Sequence, residues 1–405
     1  MRRTSLLLCL ALLLSMPLAA HAVDMRVTSS TQYLWFNDIL NGEDDEMLAQ
    51  YLKMSITKVN PGDTISIQGY GRGTYRSTDV KGADDLFGRL YYMYLDYRNV
   101  VTNVDLIAGR HYVALPAGSA LIDGGTLNIR NVGPVDLRVL GGRNVVFSGG
   151  RGEITGGNDR FLGASISTDA VKLTHIEAGY ARKTDDSDVA RETVGITITT
   201  YLPKRVAVYG DAKYDLLSEA TNELLAGIKF SPLERLTLTG EYYESYPTFD
   251  ATSIYSVFAV NQYQETLVRA EYAVTDAYKL FVSYAAEDFN DGEDANLYHA
   301  GISARPIADL VLNLSYDKRN GYGGVLSGFR VNGRYSLSEK TAVSAGIDRD
   351  DFRRETFADE SVKKYWIGGT HRFNKTVSLM VRAEDNVNVN YNHQYQGVAS
   401  VNAEF

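Results

Sequence analysis

Segments of about ten residues in which every second side chain is apolar recur along this chain, and that period of two constrains the fold more than anything else in it. In Arg205 to Tyr214, the residues Val206, Val208, Gly210, Ala212 and Tyr214 share one face; Arg205, Tyr209, Asp211 and Lys213 share the other. Leu310, Leu312, Leu314 and Tyr316 oppose Asp309, Asn313, Ser315 and Asp317 in the same way. So do Phe329, Val331, Gly333 and Tyr335 against Arg330, Asn332, Arg334 and Ser336, and Val377, Leu379, Val381 and Ala383 against Ser378, Arg382 and Glu384. A soluble sandwich or propeller is disfavoured, because a charged second face on strand after strand leaves few strands to bury a common core. One face in lipid and one in water suits this pattern.

Turn chemistry divides the segments at intervals of about 30 to 40 residues, one hairpin each. Tight turns are expected at Asn60-Pro61-Gly62-Asp63, Val132-Gly133-Pro134, Ser167-Thr168-Asp169, Leu202-Pro203-Lys204 and Ser231-Pro232-Leu233. Others are expected at Val274-Thr275-Asp276, Arg305-Pro306, Ser338-Glu339-Lys340 and Phe373-Asn374-Lys375, with a weaker one near Asn99 to Asn103. Looser acidic or glycine-rich connections alternate with them: Asn41 to Asp45, Asp79 to Asp85, Asp185 to Asp188, Asn290 to Asp294 and Asp350 to Glu360. Ten tight turns joining eleven hairpins give about 22 strands, within two either way, with both termini on the turn side. Two hairpins are poorly defined: Leu106 to Val132, and Glu234 to Ala273, where Ser253 to Val260 reads as loop or as an additional strand. Tyr91, Tyr92 and Tyr94 straddle both faces of the segment Leu86 to Arg98, as a β-bulge would make them do.

The first residues read as a secretory leader: Arg2 and Arg3, an apolar run from Leu6 to Leu18, and small residues at Ala20-His21-Ala22 before Val23. The expected division is a cleaved signal peptide over 1–22 and one barrel domain over 23–405. Cys9 lies inside the apolar run, where lipobox cleavage would leave that run on the mature chain, so the mature protein has no cysteine. Disulfides, thiolate metal sites and haem attachment through C-x-x-C-H are thereby excluded. The net charge of −9 becomes more negative once Arg2 and Arg3 are removed, which argues against nucleic acid as a partner.

The last segment alternates Tyr395, Gly397, Ala399, Val401, Ala403 and Phe405 against Gln396, Val398, Ser400, Asn402 and Glu404. A final strand ending in an aromatic resembles the terminal strand of Gram-negative outer-membrane β-barrels, and that resemblance implies that Phe405 is part of the assembly signal. With the leader, the alternation and the short turns, the whole mature chain resembles this class, and within it a porin-like protein. The resemblance implies an all-β, transmembrane, antiparallel up-and-down barrel with short periplasmic turns. It implies passive passage of small hydrophilic solutes or ions, and as partners outer-membrane lipid, lipopolysaccharide and the barrel assembly machinery. A weaker resemblance is to the barrel of porin–cytochrome conduits, which implies a sheath around multihaem cytochromes that carry electrons across the membrane. No cofactor of its own is expected.

The face assigned to the lumen carries Arg138, Lys213, Lys229, Arg235, Arg269, Arg330, Arg334 and Arg382, and also Asp211, Glu223, Glu241, Glu271, Asp317, Asp348 and Glu384. Such a mixture needs a wet lumen or cross-strand ion pairs. With about 17 residues for each strand and its connection, of which ~9–11 cross the membrane, nothing remains for a plug domain. The best internal constriction is Ala114 to Gly125 (ALPAGSALIDGG), flanked by Arg110, His111 and Arg130, although an ordinary surface loop is the plainer reading.

Catalytic and metal chemistry has little to stand on. Gly141-Gly142-Arg143 to Gly156-Gly157-Asn158 lacks the Gly-Lys-Ser/Thr of a phosphate loop and reads as a bulged strand end plus an outer loop. The six histidines are dispersed; His299 and Ser303 share a strand face, which is a weak hydrolase signal. Asp288, Asp291 and Asp294 are placed to touch a divalent cation, as are many merely solvated acidic loops. The expectation is a barrel that is not an enzyme.

Overall fold

The computed structural model describes residues 23–38, 43–60, 62–78, 85–147, 153–253, 261–321, 323–353 and 359–405. Residues 1–22, which the sequence reads as a leader, the connections at 39–42 and 79–84, and the doubtful stretch at 254–260 lie outside the described residues.

Twenty-two strands form one sheet, and each pairs antiparallel with the next. They are β1 (Asp24–Asp38), β2 (Glu43–Thr57), β3 (Ile65–Thr78), β4 (Asp85–Val101), β5 (Val104–Leu115), β6 (Gly118–Val132), β7 (Val135–Asn144) and β8 (Arg160–Thr168). They continue with β9 (Thr174–Asp185), β10 (Asp188–Leu202), β11 (Val206–Asp215), β12 (Ala220–Leu233), β13 (Leu236–Ser245), β14 (Tyr263–Ala273) and β15 (Tyr278–Asp288). The last seven are β16 (Asp294–Ile307), β17 (Leu310–Gly321), β18 (Gly324–Ser338), β19 (Thr341–Arg353), β20 (Glu360–Arg372), β21 (Val377–Asn388) and β22 (Tyr391–Glu404).

β22 returns to pair with β1, from Thr28↔Glu404 to Phe36↔Gln396, and this closes the barrel. Phe405 completes the closure with two backbone hydrogen bonds to Val27, N–H to O at 2.9 Å and the reverse at 3.0 Å. Strands ~4.8 Å apart and tilted by about 40° place the backbones of a 22-strand ring roughly 40–45 Å apart across its diameter. No helix among the described residues is long and apolar enough to cross a membrane.

The ten expected tight turns all mark reversals at the end where the termini lie, but Ser231-Pro232-Leu233 and Arg305-Pro306 lie within the last residues of β12 and β16, and the chain reverses just beyond them, at 234–235 and 308–309. Their chemistry is local. Asn99, Asn103, Asn131 and Lys204 take positive φ, and Asp105 and Asp136 accept the N–H groups of Asn99 and Asn131 at 2.9 and 2.7 Å. The bulge expected among the tyrosines of β4 is present: Tyr70 pairs with Tyr92 and Gly71 with Leu90, so Tyr91 is the extra residue.

Most strands expose an apolar outer set. Val194, Ile196 and Ile198 on β10, Leu312, Leu314 and Tyr316 on β17, and Phe329, Val331 and Tyr335 on β18 are all exposed. The small buried apolar core lies elsewhere. It consists of Val113, Leu115, Ala117, Ala120, Ile122, Leu140, Phe161 and Ala181, all contributed by β5 to β9 and the turn between β5 and β6.

Candidate functional site: a hairpin folded into the lumen

That core exists because the hairpin of β5 and β6 leaves the wall. The β4–β5 ladder stops at Met93↔Arg110, although β4 continues to Asp85 at the outer end. Beyond that point β5 pairs only with β6, up to Leu115↔Gly118. The crease is made by glycines. Gly109 has φ 123°, and a Cβ there would stand 2.9 Å from Tyr94 Cα; one on Gly124 would stand 2.5 Å from Gly142 Cα. His111, 3% exposed, pins the bend: its Nδ1–H donates to Gly109 O at 3.0 Å, and its Nε2 accepts from Thr126 Oγ1 at 2.7 Å.

Past the crease the hairpin lies like a turned page on the inner surface of β7 to β10. His111, Val113, Leu115, Ala120 and Ile122 face the wall and are buried; Tyr112, 65% exposed, faces the open lumen with Ala114 and Ser119. The tip reaches β10, where Thr193 Oγ1 donates to Ala117 O at 2.6 Å. Glycines on the wall make room for it. A Cβ at Gly163 would meet Leu115, one at Gly179 the Pro116 ring, and one at Gly195 would stand 2.8 Å from Ala117 N. Arg138 Nη1 donates to Ala114 O at 3.2 Å from β7.

Four charged groups fill the crease. Arg110 makes a two-pronged bond to Asp123, 2.6 and 2.8 Å, and a third to Glu153 at 2.8 Å. Arg143 bonds the same two carboxylates at 2.7 and 2.5 Å. Arg110 Nη1 also donates to Leu90 O at 3.1 Å, satisfying a carbonyl on the edge of β4 that β5 has abandoned. The glycine-rich stretch after β7 contributes the isolated bridge Phe147↔Glu153 here; residues 148–152 lie outside the described residues. At the end of this connection the backbone N–H groups of Asp186 and Gly156 bond Asp159, and they hold its carboxyl below the ordinary range.

A second segment narrows the mouth on the same side. Residues 246–253, after β13, reach back to β9 and β10, where Asp250 takes Lys183 at 2.5 Å and Arg191 at 3.0 Å.

The hairpin identifies the inner face of β8 to β10, and directly paired residues share a face, so the register carries the assignment round the barrel. Thr197 and Gly195 on β10 stand opposite Asp211 and Lys213, which stand opposite Leu225 and Glu223. Continuing, Lys229, Glu241, Arg269, Glu271, Asp317, Arg330, Arg334, Asp348, Arg382 and Glu384 fall on this face, as does Arg138 on β7. Arg235 does not line the wall. It occupies the turn between β12 and β13, where it bonds Val274 O at 3.3 Å and Asp276 at 3.2 Å; alternation cannot tell the last strand residue from the first turn residue.

Several of these charges hold one another. Lys213 pairs with Glu223 at 2.7 Å, Thr197 donates to Asp211 at 2.5 Å, and Tyr209 donates to Glu241. Arg330 bonds Asp317 and approaches Asp350 at 3.4 Å. Arg382, stacked 4.2 Å from the Trp366 ring, and Lys364 share Glu384 at 2.5 and 3.3 Å. Lys229, Arg269, Glu271, Arg334 and Asp348 make no ion pair among the described residues.

Ser283, His299 and Asp317 stand side by side across β15 to β17, which resembles a hydrolytic order. His299 bonds Asp317 but makes no hydrogen bond to Ser283, and Arg330 already occupies the same carboxylate. Ser303, flagged with His299, faces Lys279 and Asn313 instead. Asp288 and Asp291 cap the backbone N–H groups of Asn290 and Glu293, and no group of metal-ligating side chains occurs among the described residues.

No protein-family model matches this chain, and no curated protein matches it. Among solved structures it is similar to the translocation pore of the P pilus usher PapC, with a TM-score of 0.56 and 9% identity over 94% of this chain and 99% of that one. Matches at lower TM-score include a BenF-like porin from Pseudomonas fluorescens Pf-5 (0.48, 11% identity, 95% and 99% covered) and the outer membrane protein OpdK from Pseudomonas aeruginosa (0.47, 10%, 94% and 99%). At these identities the likeness is one of fold: a closed antiparallel barrel.

Proposed function

We propose that this protein is a pore of the Gram-negative outer membrane that passes small hydrophilic solutes or ions by diffusion through a constricted, mixed-charge lumen. The observation that carries this reading is the hairpin of β5 and β6, held by glycines and a buried Thr193 bond against the inner wall. A rigid inward hairpin narrows a ring too wide to sieve small molecules by itself and leaves a passage beside it. The exposed apolar outer face fits surrounding lipid and lipopolysaccharide. On this reading residues 1–22 are a leader removed on export, and the β22 end at Phe405 is presented to the assembly machinery. Groups with water on one side and ion-paired neighbours on the other suit passive conduction better than catalysis. The sheath reading is the weaker one, because the hairpin and the 246–253 segment take up lumen space that cytochromes need.

The test is single-channel conductance of the refolded protein in a planar bilayer, beside a variant in which 111–122 is replaced by a short glycine linker. A steady, weakly selective current that rises in the variant supports the reading. A barrel that stays closed in both, or conducts equally in both, overturns it.

A further inference from the structure

The outward face of β12 to β17 carries an apolar groove of about 620 Å³, which a pore has no need of. Its upper rung runs from Ile228 through Gly240, Val268, Tyr284 and Tyr298 to Lys318, each the ladder partner of the next. On the rung below, Ala270 and Ala300 alternate with Leu238, Val282 and Tyr316. Gly240, Ala270 and Ala300 therefore form a low floor between taller side chains. Val268 and Ala270 flank the lumen-facing Arg269, and Tyr316 and Lys318 flank Asp317, so both rungs point out of the barrel.

The groove climbs across the wall. Ile228 stands eight residues from Ala220 at the outer end of β12, Tyr298 four from Asp294 on β16, and Lys318 three from Gly321 on β17. Five strand spacings of ~4.8 Å make the upper rung ~24 Å long. Inclined by about 40° to the membrane plane, it descends roughly 15 Å, the depth of one leaflet of a ~30 Å hydrocarbon core.

The upper end is polar. Tyr284 Oη donates to Asn296 Oδ1 at 2.5 Å, and the Tyr284 and Tyr298 rings lie 5.2 Å apart. Lys318 beside them is exposed and makes no ion pair or hydrogen bond among the described residues. The outward carboxylates of β15 and β16, Asp288 and Asp294, lie four residues further out.

We propose that this groove binds lipopolysaccharide, with one lipid A acyl chain along the rung and a lipid A phosphate at Lys318. The site rests on the outer-membrane reading, which puts that lipid at this end of the strands. A lone cation at the water-side end of an apolar channel matches a ligand with an anionic head and an apolar tail. A second copy of the chain fits less well: a face of ~24 by ~10 Å covers roughly 240 Å², against ~800 Å² per partner in a stable interface.

The test is native mass spectrometry of the refolded barrel in detergent, titrated with purified lipid A. One saturable lipid A per barrel is expected. Lys318→Ala should weaken it roughly tenfold or more, as should removal of the lipid A phosphates, and Lys318→Arg should keep it. Gly240→Leu fills the floor and should weaken binding by a similar factor; a Cβ there meets only Ile228 Cγ2, at 3.7 Å, so the backbone accommodates it. Heat-modifiable gel migration reports that each variant is folded. Undiminished affinity in both Lys318→Ala and Gly240→Leu, several lipids held alike in every variant, or phosphatidylethanolamine bound as tightly as lipid A overturns the site. So does a lipid-free dimer of barrels that Gly240→Leu dissociates. Parallel conductance separates the two readings, since neither residue faces the lumen: binding without current keeps the site and sinks the pore, and current without binding does the reverse.

Discussion

Two sectors of one wall solve the same problem differently. From β15 to β21 the strands run regularly, and much of the lumen face is bonded to itself through Asp317, Arg330, Asp350, Arg382 and Glu384, with Arg334 and Asp348 left outside the ion pairs among the described residues. From β4 to β10 the ladder is broken, the charges gather at one crease, and side chains on a hairpin replace the pairing that β4 lost. The regular sector is stiff because its bonds are many and local. The folded sector is shaped, and its shape hangs on few contacts, so perturbation should separate the two.

The largest effect is expected from Gly195→Leu, which drives a side chain into Pro116 and Ala117. Overpacking of this kind costs about 1–3 kcal/mol and should lift the tip, raising conductance about twofold or more with a noisier open state. Next comes Asp123→Asn, which leaves Arg110 and Arg143 to share Glu153. Losing charge-assisted bonds at the crease should lower stability to denaturant by about 2 kcal/mol and increase flicker of the current. Thr193→Val removes one buried bond to Ala117 O, for about 1 kcal/mol, read as a shift in the midpoint of unfolding. Lys213→Met on β11, in the wall outside the folded sector, breaks a pair in which both side chains are about a third exposed, and should cost no more than ~1 kcal/mol with conductance unchanged. If Lys213→Met changed the current as much as Gly195→Leu, the contrast between the sectors would fail.

The sequence was most legible where structure is local. Asn, Pro and Gly at the tight turns and the tyrosines that straddle β4 each act within a few residues, and their consequences could be read directly. The inward hairpin was half legible. Ala114 to Gly125 stood out as small and apolar, but Val113, Leu115 and Ile122 alternate like any lipid-facing set, and nothing nearby says that their partner is Phe161 rather than acyl chains. The crease was not legible. Gly109, Gly124 and Gly142 look like ordinary strand glycines until the backbone of another strand is seen pressed against them. The pairing of Arg110 and Arg143 with Glu153 joins residues 43 and 10 positions apart, distances at which alternation carries no information. Arg235 shows the complementary limit, a residue with the right parity one step before its strand begins.

The seam between β1 and β22 joins Val27 to Phe405, almost the two ends of the described chain. Every other seam is between neighbours in sequence and can form as soon as both are present; this one must wait for the last residue. Until then both outer strands offer unpaired backbone to any passing strand, so a half-made chain is an adhesive ribbon. Such a polypeptide has to be kept apart from its own copies until Phe405 is in place, and losing the strand at either side of the seam removes the seam itself, not merely a piece of the wall.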